Sequence, residues 1–124
     1  MDSNGSAIVL EDADSELDAR MVGKSVNQYY GQTCGTIHRV FVGSKIADSF
    51  IDGQLSFSEE LKIGFQADAR MQLGTEVNPT QSRRFLTAQQ DTAERGGQAI
   101  LSGEPGGGVN GEGTFLDCTE VNSL

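Results

Sequence analysis

Between Leu61 and Leu73 every second residue is apolar. Leu61, Ile63, Phe65, Ala67, Ala69, Met71 and Leu73 alternate with Lys62, Gly64, Gln66, Asp68, Arg70 and Gln72. Such a run matches the two-residue period of a β-strand, whereas a helix would spread both sets around its whole circumference, so the pattern predicts one long amphipathic strand. At about 3.3 Å per residue the strand would reach roughly 43 Å, more than twice the usual length. A bend or bulge at Gly64 would divide it in two. In either form one face requires cover and the other faces water.

The β reading extends outward from this segment. Thr36 to Val42 is rich in β-branched and aromatic residues, with Ile37 and Phe41 on one face and Val40 and Val42 on the other. Ser49-Phe50-Ile51 and Gln54-Leu55-Ser56-Phe57 flank Asp52-Gly53, a pair favoured in two-residue hairpin loops, so a hairpin with Phe50 beside Leu55 is predicted. Gln98 to Ser102 and Thr114 to Val121 read as further strands. A short helix over about 12–22 is indicated by Leu10, Ala13, Leu17 and Met21 at helical spacing, with acids at its start and Gly23 as its stop. Asn78-Pro79-Thr80-Gln81 then resembles a helix start, with Asn78 as cap. That helix would run to about Glu94 and close at Gly96-Gly97, although its Gln- and Thr-rich composition leaves strand or loop open.

At 124 residues, 36% of them hydrophobic, the chain suits one domain with a thin core. The expected fold is mainly β, an antiparallel sheet or a small barrel or sandwich, with one or two short helices and extended polar arms. The expected division is an N-terminal arm over 1–11, a single β-rich domain over 12–121 containing a Gly-rich loop at 103–113, and a C-terminal tail over 122–124.

The formal net charge of −9 repels phosphate backbones and argues against nucleic acid as a direct partner. The excess concentrates near the start, where Asp2, Glu11, Asp12, Asp14, Glu16 and Asp18 face only Arg20. These acids read either as a solvated helix face or as an arm docking on a basic surface. Glu11, Asp12, Asp14, Glu16 and Asp18, with the adjacent Arg83 and Arg84, are therefore the candidate partner-binding residues. No apolar run approaches the roughly 18 residues of a membrane span, and Met1 to Ser6 lacks the layout of a signal peptide. The expected location is intracellular or within a viral particle.

Motifs for catalysis or cofactors fail on their own terms. Gly23-Lys24-Ser25 ends like a P-loop, but Asp18 stands where its other glycine is needed. Gly106 to Gly111 satisfies G-x-G-x-x-G with too little chain after it for the required helix and strand. The alternating acids from Asp12 to Asp18 resemble a calcium loop, yet Leu17 and Gly23 occupy its decisive glycine and glutamate positions. No zinc-ligand spacing occurs, so neither metal nor cofactor is expected. Cys34 and Cys118 read as small buried apolar groups in preference to a disulfide. One thiol constellation survives: Gly31-Gln32-Thr33-Cys34-Gly35 is glycine-flanked like a reactive turn, and His38, the sole histidine, lies four residues on.

Taken together these features predict a structural or assembly subunit, not an enzyme, that packs against copies of itself or a larger partner. A capsid-decorating or tail-associated virion protein exemplifies the class. The alternative is an acidic binding module or inhibitor occupying a basic site, separable from the first by its sensitivity to salt. A thiol-dependent enzyme using Cys34 and His38 comes third.

Overall fold

The structure, a computed structural model, describes residues 4–65, 67–101, 105–106, 115–116 and 118–122. Its contacts divide the chain at Leu61 into two compact units, 1–61 and 62–124, where the sequence reading has an arm to residue 11 and one domain to 121. Most of the expected Gly-rich loop at 103–113 lies outside the described residues, as does the tail at 123–124.

The first unit is built on two parallel strands, β1 (Gly5–Val9) and β2 (Ile37–Val42), paired with Ala7 opposite Val40, Ile8 opposite Phe41 and Val9 opposite Val42. Parallel strands require a long crossover, and α1 (Ser15–Asn27) supplies it. The helix starts where Asp14 caps it, its carboxylate accepting from the Leu17 N–H at 3.1 Å. It continues past Gly23 because the apolar stripe continues: Ala19 and Val22 are buried, and Val26 packs beside them. α2 (Ala47–Glu60) lies along α1. Val9, Ala19, Val22 and Phe50 form the core, with Val40 and Val42 against it, so both helices cover the same face of the strands.

This arrangement corrects the hairpin expected around Asp52-Gly53, which lies in the middle of α2. Buried Phe50, Gln54 and Ser58 recur at four-residue spacing, the period of a helix face. Gly53 serves the crossing of the two helices: a Cβ placed on it would stand 2.9 Å from the Ala19 Cβ. On the facing helix, a Cβ at Gly23 would meet the Phe57 ring at 2.5 Å. Glycines that read locally as a turn and a stop are the surfaces on which the helices touch.

In the second unit the predicted long strand is absent from the described residues. Residues 62–65 and 67–73 fold back on each other: Gln72 N–H and Leu73 N–H both donate to the Lys62 carbonyl, at 2.8 and 3.1 Å, and Gly64 N–H donates to that of Leu73 at 3.0 Å. Ile63 and Leu73 meet in an isolated parallel bridge. Arg70 grips both Asp68 oxygens within this loop, its shortest bond being 2.6 Å, and holds that carboxyl below its usual range. The apolar members divide accordingly, with Leu73 buried and Phe65 exposed yet edge-on to the buried Phe115 at 5.2 Å.

α3 (Pro79–Glu94) begins as its sequence indicates, Asn78 Oδ1 accepting from the Gln81 N–H at 2.9 Å. The chain leaves it through Gly96, whose φ of 92° suits glycine alone. β3 (Gln98–Leu101) pairs antiparallel with β6 (Glu120–Asn122), and β4 (Pro105–Gly106) with β5 (Phe115–Leu116). Helices of 13, 14 and 16 residues against strands of six or fewer make the fold α/β, not mainly β.

Candidate functional site

The connection from α1 to β2 carries the most unusual backbone among the described residues. Beyond the end of α1, Tyr29 (φ 49°), Tyr30 (φ 64°) and Gly31 (φ 69°) are all left-handed. For a tyrosine that conformation is strained, and strain of this kind gathers at functional sites. The Gln32 N–H returns to the Tyr29 carbonyl at 3.2 Å. A tight turn follows, closed by the Thr36 N–H donating to the Thr33 carbonyl at 3.2 Å. Cys34 and Gly35 are its two corners, and Cys34 is exposed.

Thr36, directly after the corner, is 2% exposed, and its Oγ1 lies 2.9 Å from that of Thr33. Gly5 lies across it so closely that a Cβ there would stand 2.5 Å from the Thr36 carbonyl oxygen. The turn is therefore seated on the start of the parallel strand pair. His38 lies exposed on β2, at the point where the register against β1 shifts. Cys34 and Cys118 are both thiols, one in each unit, and no disulfide joins them. Cys34 is thus not the buried apolar group that the sequence reading favours. Cys118 is half-buried.

The charged residues proposed for partner binding are spread over separate tasks. Glu11 pairs with Lys45 at 2.6 Å, and Asp14 caps α1. Asp12 and Glu16 are exposed, while Asp18 is half-buried. Arg83 and Arg84 border an open, shallow hollow along α3, where Arg83 donates to the Thr80 hydroxyl at 3.3 Å. Among the described residues no group of three or more His, Cys, Asp or Glu could hold a metal ion, and no helix is long and apolar enough to cross a membrane.

The aldehyde dehydrogenase family model matches residues 1–122. The chain belongs to the aldehyde dehydrogenase family. Its relatives include betaine aldehyde dehydrogenase of Sinorhizobium fredii, 32% identical over 114 residues, a match covering 90% of this chain and 23% of that protein. Among solved structures, apo betaine aldehyde dehydrogenase of Staphylococcus aureus superposes with a TM-score of 0.92 at 19% identity, covering 100% of this chain and 25% of that one. An aldehyde dehydrogenase of Pseudomonas syringae, solved with NAD+ and octanal, superposes at 0.86 with 18% identity over 94% of this chain and 24% of that one. At these identities the structural likeness is one of fold.

This aldehyde dehydrogenase family chain spans about a quarter of the length of the relatives it matches. Family membership overturns the assembly-subunit and virion readings, the acidic-inhibitor alternative, and the expectation that the chain is no part of an enzyme. The assembly reading rests on the alternation from 61 to 73, whose described apolar positions lie in a loop and not along a strand face; the inhibitor reading rests on the acids near the start, which the structure spreads over separate tasks. Sequence reasoning also passed over Thr33 and Thr36. The available signal was two threonines three residues apart around a glycine, a spacing at which turn residues bond each other.

The start of α1 does not suit the pyrophosphate of a dinucleotide. In a βαβ unit the pyrophosphate lies where the first strand meets the helix N-terminus. Here that place is Glu11-Asp12-Ala13-Asp14, and the Asp14 carboxylate already occupies the helix end.

Proposed function

We propose that the complete protein oxidises an aldehyde and that this chain contributes the attacking thiol, Cys34. The observation that carries the reading is an exposed cysteine at the corner of a turn seated on a parallel strand pair, in a chain that belongs to this family. Two structural neighbours support it: the Staphylococcus aureus protein contains a cysteine modified by BME, and the Pseudomonas syringae complex with NAD+ and octanal was formed by a cysteine-to-alanine variant.

The chemistry available to Cys34 is addition. As the thiolate, its Sγ forms a bond to the aldehyde carbon while the carbonyl π pair moves to oxygen, leaving a tetrahedral thiohemiacetal. The open space beside Gly35, where a Cβ would meet nothing within 4 Å, leaves the thiol approachable. Loss of hydride from the adduct needs an acceptor, and that step is not assigned to the described residues. Association with further protein is part of the same proposal, supported by the exposed pair Ile8 and Phe41 on the strand face opposite the helices.

The test is Cys34→Ala in the complete gene product that contains these 124 residues, assayed as aldehyde-dependent reduction of NAD+ or NADP+. Removing a covalent nucleophile is expected to lower turnover by on the order of a thousandfold or more. A variant that turns over at the original rate would overturn the assignment.

A further inference from the structure

Thr33 and Thr36 stand on either side of the Cys34-Gly35 corner and are joined twice. Their main chains are linked by the Thr36 N–H to Thr33 carbonyl bond at 3.2 Å, and their side chains by the hydroxyl pair at 2.9 Å. We propose that this hydroxyl clamp makes Thr33 and Thr36 positioning residues for aldehyde addition by Cys34. The proposal rests on the reading of Cys34 as the nucleophile.

Three observations carry it. First, Thr36 is the anchored end. It is 2% exposed, and Gly5 of β1 lies against its carbonyl. A hydroxyl so deeply enclosed needs a partner from the protein, and that of Thr33 is within reach. Second, Thr33 lies on the other side of the thiol and is half-buried, so the side-chain bond carries the anchorage of the sheet across the corner. Third, neither a left-handed backbone nor packing at Gly35 dictates the shape of the corner. Neither Cys34 nor Gly35 has positive φ, and nothing packs within 4 Å of where a Gly35 Cβ would be. Glycine at this corner is required by neither backbone nor packing. The clamp therefore does what packing does elsewhere, restricting where Sγ can be when the aldehyde arrives. Reaction rates are steep in such placement, an error of about 1 Å costing as much as ~100-fold.

The experiment compares Thr33→Val, Thr36→Val and the double variant in the complete protein, with Thr36→Ser and Cys34→Ala alongside. Valine keeps the shape of threonine and removes the hydroxyl. Thr33 is only half-buried, so Thr33→Val tests the clamp even if Thr36→Val fails to fold. Each single variant is expected to lower kcat by roughly 10- to 100-fold while KM changes by less than about twofold. The double variant should be no worse than the singles, since two groups in one bond do not act additively. Thr36→Ser should recover most of kcat. Original kcat in Thr33→Val, multiplying losses in the double variant, or no recovery with serine would each overturn the clamp. If any of these occurs while Cys34→Ala is inactive, the clamp alone falls; if Cys34→Ala keeps its turnover, the reading beneath it falls as well.

Discussion

Glu76 is a carboxyl that folding makes harder to ionise. It is 7% exposed, and burial pushes its pKa up from the ordinary value while a hydrogen bond with the Val77 backbone partly opposes the shift. The folded chain thus holds this proton more tightly than the unfolded chain does. The resulting stability is fully present below the ordinary carboxyl range and is lost as pH rises through the raised folded value. Glu76→Gln carries no charge to bury and escapes the loss. It is expected to raise Tm at pH 7 by about 2–4 °C and to leave it unchanged near pH 4, as thermal unfolding at the two values would show. An equal effect at both would remove charge burial as the cause. Tyr29 and Tyr30 show a different residue-level constraint. Their left-handed backbone is a place where glycine or asparagine would read as the natural choice, so the pair gave no local hint of the conformation it adopts. Cys34 was legible as a glycine-flanked cysteine, but a single thiol carries too little local pattern to separate a nucleophile from a core residue.

The helix crossing at Gly53 and Ala19 defines a prediction at the level of elements. Glycine to alanine inside an exposed helix stabilises by up to about 1 kcal/mol. At Gly53 the added methyl meets Ala19 Cβ at 2.9 Å, and overpacking of this kind costs about 1–3 kcal/mol. Gly53→Ala is therefore expected to destabilise the chain in urea unfolding, and Ala19→Gly to recover part of the loss. A stabilised Gly53→Ala would mean that the helices do not touch there. The same crossing explains what the sequence left unread. The start of α3 was legible because Asn78 and Pro79 specify it locally, by a cap and a fixed φ, while its Gln- and Thr-rich body left strand or loop open; β2 was legible because its β-branched run is local too. α2 could not, since Asp52-Gly53 favours a hairpin until Ala19, more than thirty residues earlier, is brought against it. The alternation from Leu61 to Leu73 misled for a related reason: period two specifies a strand only when a partner strand pairs with it, and here Lys62 bonds to Gln72 and Leu73 of its own segment. The candidate site was half legible, its cysteine from the flanking glycines and its threonine pair only from the folded structure.

At the scale of the whole molecule, the strand pair has one face covered by α1 and α2 and another that presents Ile8 and Phe41 side by side, 73% and 56% exposed. Parallel sheets are ordinarily covered on both faces. The 124-residue chain expressed alone is therefore expected to bind a hydrophobic dye such as ANS or to self-associate, and Phe41→Ser to reduce both without lowering helical content by circular dichroism. Unchanged dye binding and light scattering in that variant would show that the face is not the adhesive one. The contact of Gly5 with Thr36 also makes the corner depend on the strand pair. α1 and α2 are contiguous stretches, but the floor under the Cys34 corner is absent until the first residues of the chain arrive from 31 positions upstream. A chain whose first strand has come away from its neighbour would thus keep its stretches of helix and lose the seat of this corner.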